Sequence, residues 1–406
     1  MTDERKKTVT ESDFLQELAP RLLKLLSVVD RVELENFEME IGDLELWLQQ
    51  SSPIPGLPQQ ISRPTALFAE GFVPPREEYP GRIQEVTIGA TRSDGGTRRT
   101  TVTCGGSYAP PFTFPDTTAP HLPPIALDVF DTRISMPKTL KENIVEVMDD
   151  PAAWARLNVE KFGADVVTLH LLSTDPLIDN TSPRDAAITV ENILQAVDIP
   201  LIIGGCGDPK KDTAVFTKVA EAAEGERVVL NSVTLDMVES KNLEAVAGAA
   251  KRHNQVVLAF TGLELNNAKE LNRRLYEFLP PDQIMMDLTT AAPGYGLEYS
   301  YTIYERARHA ALMGDRELQH PVVSASTNAW AAREAWLQMD PVYGQREFRG
   351  PLWETITALI LLLTGVDMFM MMHPAAVRTV REVIKALSTA PGSVPSIPSD
   401  WTTMRI

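Results

Sequence analysis

A (β/α)8 barrel (a TIM barrel) preceded by an N-terminal α+β extension is the fold this sequence predicts, on three observations. Between residues 124 and 390, short apolar runs alternate with amphipathic stretches eight times. The runs are continuously apolar, as in parallel strands covered on both faces. Eight such units over about 265 residues match the size of this barrel. An open doubly wound sheet is the alternative, but the first strand–helix turn has no G-x-G-x-x-G, which counts against a dinucleotide-binding version.

The extension comes first. Ser12 or Asp13 can cap a helix reaching about Val28, with Phe14, Leu15, Leu18, Leu22, Leu25 and Leu26 as its apolar stripe. The period then falls to two. Phe37, Met39 and Ile41 alternate with acids, Gly42-Asp43 turns the chain, and Leu44, Leu46 and Leu48 alternate again, which predicts an acidic β-hairpin ending the unit at 1–50. Residues 51–82 hold Pro53, Pro55, Pro58, Pro64, Pro74, Pro75 and Pro80 and predict a linker. Over 83–123, strands at Ile83–Thr91 and Arg99–Cys104 flank a turn at Ser93-Asp94-Gly95-Gly96, and a proline-rich lead-in follows. This whole region is expected to serve as scaffold or contact surface.

In the barrel, 124–390, strands are expected at Ile125–Phe130, Val166–Leu171, Leu201–Gly204, Val228–Val233, Val256–Phe260, Ile284–Leu288, Val322–Ala325 and Met368–Met372. Helices are expected near Leu140–Phe162, Arg184–Val197, Ala214–Glu224, Leu243–His253, Asn266–Phe278, Tyr299–Gly314, Trp353–Leu363 and Ala375–Leu387. The apolar run Ile356–Met372 is broken by Gly365 and Asp367 and reads as a buried helix end followed by a buried strand, not a membrane span. Residues 391–406 form a tail.

Composition narrows the function. The 406 residues carry a net charge of -17, which argues against a nucleic-acid binder and against charge-driven attachment to anionic lipid. Two cysteines, Cys104 and Cys206, cannot hold a four-cysteine iron–sulfur cluster and suggest no disulfide framework. With no apolar signal at the N-terminus, a cytoplasmic protein is expected.

A barrel carries its chemistry at the C-terminal strand ends. The residues this rule nominates include Asp128, Phe130 and Asp131, then His170, Ser173 and Asp175, and next Gly204, Gly205 and Cys206. Further round stand Asn231 and Ser232, Thr261, Asp287 and Thr289, Thr327 and Asn328, and Met372 and His373. Each has a plainer reading beside it. His170 fits a hydrogen-bonded core histidine as well as a ligand contact. His373 precedes Pro374 and fits the start of a helix. Asp287 fits an acceptor for loop amides. Met368–Met372 fits core. Gly204-Gly205-Cys206-Gly207 lacks the Lys-Ser/Thr pair of a phosphate loop and reads as a turn that lets something approach the backbone. No histidine pair has metal-ligand spacing, and Ser324 and Ser326 lack a nucleophile elbow.

Several runs are more specific than any of these. They are Ile125-Ala-Leu-Asp-Val-Phe-Asp131, Gly163-Ala-Asp-Val-Val-Thr-Leu-His-Leu-Leu-Ser-Thr-Asp-Pro176, Ala291-Ala-Pro-Gly-Tyr-Gly-Leu-Glu-Tyr-Ser300, Thr327-Asn-Ala-Trp-Ala-Ala-Arg-Glu-Ala-Trp336 and Met370-Met-Met-His-Pro374. The stretch Glu85-Val-Thr-Ile-Gly-Ala-Thr91 with Asp94-Gly-Gly-Thr97 joins them. In these runs the chain resembles the small (delta) subunits of the corrinoid/iron–sulfur protein, which belongs to the acetyl-CoA decarbonylase/synthase complex of anaerobes. The resemblance extends from about Phe72 to Leu387.

The resemblance implies a non-catalytic subunit in a heterodimer with a larger partner that carries the corrinoid and a [4Fe-4S] cluster. It implies methyl transfer between a methyl-tetrahydropterin or methyl-tetrahydrofolate and acetyl-CoA synthase, with a pterin or folate methyltransferase and the CO dehydrogenase/acetyl-CoA synthase complex as further partners. The mouth residues His170, Ser173, Asp175, Gly204, Gly205, Asn231, Asp287, Thr289, Thr327, Asn328, Met372 and His373 become candidates for the corrinoid face. Two alternatives stand beside it. A pterin-dependent methyltransferase barrel would use Asn231 and Asp287, though Gly204-Gly205 stands where an acid is wanted. A structural scaffold would use the barrel only as an interaction surface.

Overall fold

The computed structural model describes residues 77–112 and 119–388. The expected helix and hairpin of 1–50, most of the linker 51–82 and the tail 391–406 lie outside the described residues.

Eight parallel strands form the barrel: β3 (Ile125–Phe130), β4 (Val166–His170), β5 (Leu201–Gly204), β6 (Val229–Val233), β7 (Val256–Phe260), β8 (Ile284–Asp287), β9 (Val323–Ala325) and β10 (Met368–Met371). The ladder runs β8-β7-β6-β5-β4-β3-β10-β9, and a parallel bridge between Met286 and Val322 brings its two ends together. The expected strands are recovered to within one residue at each end, because each is a mostly apolar run between polar turns.

The strands sort their side chains by parity. Leu127, Val167, Ile203, Leu230 and Val257 point outward and pack under the helices. Ala126, Val166, Ile202, Val229, Val256, Met285 and Met368 point into the barrel and form a second cluster. That inner cluster continues into Val86, Ile88 and Cys104 of a small hairpin, β1 (Val86–Ile88) paired antiparallel with β2 (Val102–Cys104). The hairpin therefore plugs the N-terminal end of the barrel. Its paired strands are shorter than the Ile83–Thr91 and Arg99–Cys104 expected, since the flanking residues bond barrel loops instead. Arg98 donates to Glu226 Oε2 at 2.7 Å, to Leu194 O at 2.7 Å and to Val197 O. Arg227 Nε donates to Thr87 O at 2.7 Å, and Gly89 N to Arg227 O at 2.9 Å.

The helices are α1 (Lys138–Lys141), α2 (Pro151–Glu160), α3 (Pro183–Ala196), α4 (Pro209–Ala222), α5 (Leu235–Glu239), α6 (Leu243–Arg252), α7 (Leu265–Leu275), α8 (Leu297–Leu312), α9 (Arg346–Leu362) and α10 (Pro374–Leu387). Four begin with a capping side chain followed by proline: Asp150-Pro151, Ser182-Pro183, Asp208-Pro209 and His373-Pro374. The first of these corrects the expected helix Leu140–Phe162. Asp150 accepts from Ala152 N and Ala153 N, so a new helix starts there and α1 is a separate short turn. The expected helix at Trp353 begins earlier, at Arg346, and carries Pro351 inside it. Gly350 is needed at that point, because a Cβ would lie 2.2 Å from the Trp330 ring. The run Ile356–Met372 is a helix end followed by β10, and among the described residues no helix is long and apolar enough to cross a membrane.

Candidate functional site at the barrel mouth

The nominated strand ends form three clusters around the open end. The first lies where β4, β5 and β6 finish. His170 stacks on Phe130 with ring centroids 4.8 Å apart. Its Nε2 lies 3.2 Å from Asp128 Oδ1, yet out of line, so neither atom forms a hydrogen bond. The Asp128 side chain is fully buried, and both its oxygens lack a donor among the described residues. His170, Gly204, Gly205 and Asn231 line a cavity of about 240 Å³ together with Cys206, Ser232, Thr234 and Met237.

The glycine-rich turn after β5 has a definite visitor. A Cβ on Gly205 would meet the Asp212 carboxylate at 2.4 Å. That carboxylate accepts from Cys206 N and Gly207 N, both at 2.8 Å. Burial raises the Asp212 carboxyl and, as its largest cause, the Cys206 thiol. Gly205 thus serves local architecture, whereas a Cβ on Gly204 would project between His170 and Asn231.

The second cluster centres on Glu354 of α9, which sequence reading missed. It is buried and holds the end of β10: Met372 N donates to Oε1 at 2.5 Å, His373 N to Oε2 at 3.0 Å, and Trp330 Nε1 to Oε2 at 3.0 Å. Burial pushes its pKa up to about 8, those three donors oppose the rise, and the charge of Asp128 adds to it. His373 Nδ1 accepts from Ala375 N at 3.1 Å and caps α10, while burial lowers the ring to about 4, so it is a neutral imidazole. Its ring stacks on Trp330 at 5.9 Å. Met372 is half-buried beside it. A lone acid among the apolar residues of Leu352–Leu363 was the available signal for Glu354.

The third cluster joins β8 and β9. Asp287 Oδ1 accepts from Thr289 N at 2.9 Å and Tyr304 Oη at 3.1 Å, and burial pushes its pKa up to about 6. Thr289 sits at φ 75°, a left-handed conformation unusual for a β-branched residue, and its hydroxyl donates to Thr261 O at 2.8 Å. Thr290 Oγ1 donates to Ser324 Oγ at 3.0 Å, and Asn328 Nδ2 to Thr290 O at 3.0 Å. Asn328 is exposed and Thr327 half-buried.

Ser173 and Asp175 do not join these clusters. Ser173 N donates to Asp131 Oδ1 at 2.9 Å, and Asp175 Oδ1 accepts from Leu177 N at 2.7 Å, so both shape their own loop. That loop ends the polar floor and begins an apolar rim. Leu177 is 93% exposed and Val342 80%, and Ile178, Leu263, Tyr295, Tyr299 and Tyr343 are exposed as well. All stand on the loops at the C-terminal ends of the strands or on the helix turn that follows.

Fold and site together define a (β/α)8 barrel sealed at its base, with a polar mouth inside an exposed apolar rim. The family model described as "CO dehydrogenase/acetyl-CoA synthase delta subunit" matches residues 85–363. The delta subunit of the acetyl-CoA decarbonylase/synthase complex of Archaeoglobus fulgidus is 48% identical over 355 residues, 86% of this chain and 78% of that one. The delta subunit from Methanopyrus kandleri is 43% identical over 394 residues, 94% of this chain and 96% of that one. The chain belongs to this delta-subunit family, in agreement with the resemblance carried by its sequence runs. Among solved structures, dihydropteroate synthase of Xanthomonas albilineans aligns with a TM-score of 0.47 at 14% identity, over 66% of this chain and 95% of that one.

Proposed function

We propose that this chain is the corrinoid-covering subunit of a methyl-transferring pair. A larger partner holds the corrinoid and a [4Fe-4S] cluster, and the pair passes a methyl group between a methyl-tetrahydropterin or methyl-tetrahydrofolate and acetyl-CoA synthase. The observation that carries the reading is the contrast between a plugged base and an open polar mouth ringed by exposed Leu177, Tyr295, Tyr299 and Val342, in a member of the delta-subunit family. Several large apolar side chains exposed on the loops at one end of the barrel suit a surface that another molecule covers.

The corrinoid supplies the cobalt that carries the methyl group. The chain's own residues supply the cover. The apolar rim seats against the partner and excludes water from the enclosed face. Asn231, Asn328 and Thr327 offer hydrogen bonds from the polar floor, and half-buried Met372 offers apolar surface. The unfilled position on Gly204 is a cradle that a Cβ would close, and it fits an incoming group. Cys104 lies in the base plug and Cys206 at the mouth, so the chain's two thiols sit at opposite ends of the barrel, consistent with a cluster held by the partner.

Anaerobic pull-down of the tagged chain from native extract tests the reading. A stoichiometric larger subunit with corrinoid and iron–sulfur absorbance is expected. The double variant Leu177→Glu/Val342→Glu should recover at least about tenfold less of it, as for charged residues placed in an apolar interface centre. A colourless chain eluting alone would overturn the proposal. Exchange of Asn328 and His373 with no change in corrinoid retention would leave a scaffold that does not touch the ring.

A further inference from the structure

Three adjacent strands bring two polar side chains to one spot. His170 is the register partner of Gly204, and Gly204 of Asn231. From the point where Gly204 would carry a Cβ, His170 Nδ1 lies 3.1 Å away and Asn231 Nδ2 3.6 Å away. The missing side chain therefore leaves a notch with a ring nitrogen on one wall and an amide on the other.

In a neutral ring the tautomer is set by the other neighbour. His170 Nε2 faces the Asp128 carboxylate at 3.2 Å, and a carboxylate oxygen accepts. The neutral ring that suits this contact carries its hydrogen on Nε2, which leaves Nδ1 as an acceptor toward the notch. Asp128 is itself a second pointer to a ligand. Its side chain is fully buried, and both oxygens lack a hydrogen bond because the ring stands out of line. A group that grips Nδ1 and turns the ring into line satisfies the carboxylate as well.

We propose that this notch is a carboxamide subsite. A primary amide donates N–H to His170 Nδ1, its carbonyl accepts from Asn231 Nδ2, and Asp128 is the positioning residue that fixes the ring. A carboxylate in the same place has no hydrogen to give Nδ1, so the notch prefers amide over acid. The inference deepens the corrinoid reading above and rests on it. A corrin is fringed with primary-amide arms, and the cavity of about 240 Å³ admits an arm but not the macrocycle.

The test uses the full-length chain with its larger partner, reconstituted with dicyanocobinamide or with the heptacarboxylate dicyanocobyrinic acid. Corrinoid retention is read by equilibrium dialysis, and the His170 tautomer by nitrogen-15 NMR of histidine-labelled chain. The wild-type pair is expected to hold the amide corrinoid about tenfold more tightly. Gly204→Ala and, independently, Asn231→Leu should erase the preference at unchanged melting temperature. Asp128→Asn should shift the Nδ1 and Nε2 resonances and weaken the preference, which a merely structural residue would not do. Equal retention of both corrinoids by wild type, or a preference that survives Gly204→Ala, overturns the subsite while the corrinoid reading stands. If neither corrinoid is held by the pair, both fall. Tetrahydrofolate binding lost in Gly204→Ala, with no corrinoid preference, would assign the notch to a pterin and overturn the corrin-arm subsite.

Discussion

The base of the barrel and its mouth are two ends of the same eight strands, and they solve the same problem in opposite ways. At the base the inward residues Val166, Ile202, Val229 and Val256 meet a hairpin that supplies its own apolar side chains, and buried Arg98 finds Glu226 and three backbone carbonyls. At the mouth the same sheet presents His170, Gly204, Asn231 and Asp287, which no hairpin among the described residues covers. Asp128 there keeps both oxygens without donors. The base is thus satisfied within the chain, whereas the mouth holds polar groups and exposed apolar residues that no other described residue satisfies. Unsatisfied buried polar groups cost stability and persist where a ligand or partner repays them.

The contrast is strongest at the Arg98–Glu226 pair. Arg98→Ala strands a buried carboxylate and should lower stability by about 3–5 kcal/mol. A denaturant series measures it, and a loss below about 1 kcal/mol would mean the plug is not fixed as described. Ile88→Ala, at a fully buried plug position, should cost about 2–4 kcal/mol. The same series reads it, and a wild-type midpoint would place Ile88 outside the core.

At the mouth the expected signature is a pH dependence. The folded pKa of Glu354, raised to about 8 from 4.5, means the folded protein keeps a proton that the unfolded chain loses. Its contribution is fully present below about 4.5 and is lost as pH rises to about 8. His373, lowered to about 4 from 6.5, acts with the opposite sign, and its contribution is lost as pH falls through that range. Above about 6.5 the histidine contribution is complete and Glu354 remains. There wild type should lose stability with rising pH at up to about 1.4 kcal/mol per unit, and Glu354→Gln should be flatter. Parallel slopes would show that Glu354 is ionised throughout. The smallest effect on stability belongs to the rim. Leu177→Ser should stay within about 0.5 kcal/mol of wild type by the same unfolding measurement while weakening capture of the larger subunit, and a large destabilisation would show that the chain itself covers Leu177.

Much of this molecule is set by local pattern. The barrel strands announce themselves because a strand buried on both faces needs an uninterrupted apolar run, as Leu201–Ile203 and Val256–Phe260 supply. Helix starts are written as a cap followed by proline, and overlooking Asp150-Pro151 is what made one helix of two. The family was legible in long runs such as Gly163–Pro176, and the strand ends gave the list of mouth residues. Their partners were not legible, since pairing across the barrel joins residues far apart in sequence. Asp128 and His170 are brought together by strand register, Glu354 reaches Met372 and His373 from a neighbouring helix, and Asp212 fills the space that Gly205 leaves. Sequence by itself determined which residues lie on strand ends and that the chain's two cysteines are too few for a four-cysteine cluster. Only the tertiary structure decided that the hairpin seals one end and that Gly204 opens a notch at the other, because closure of the sheet into a ring is what sets strand ends side by side.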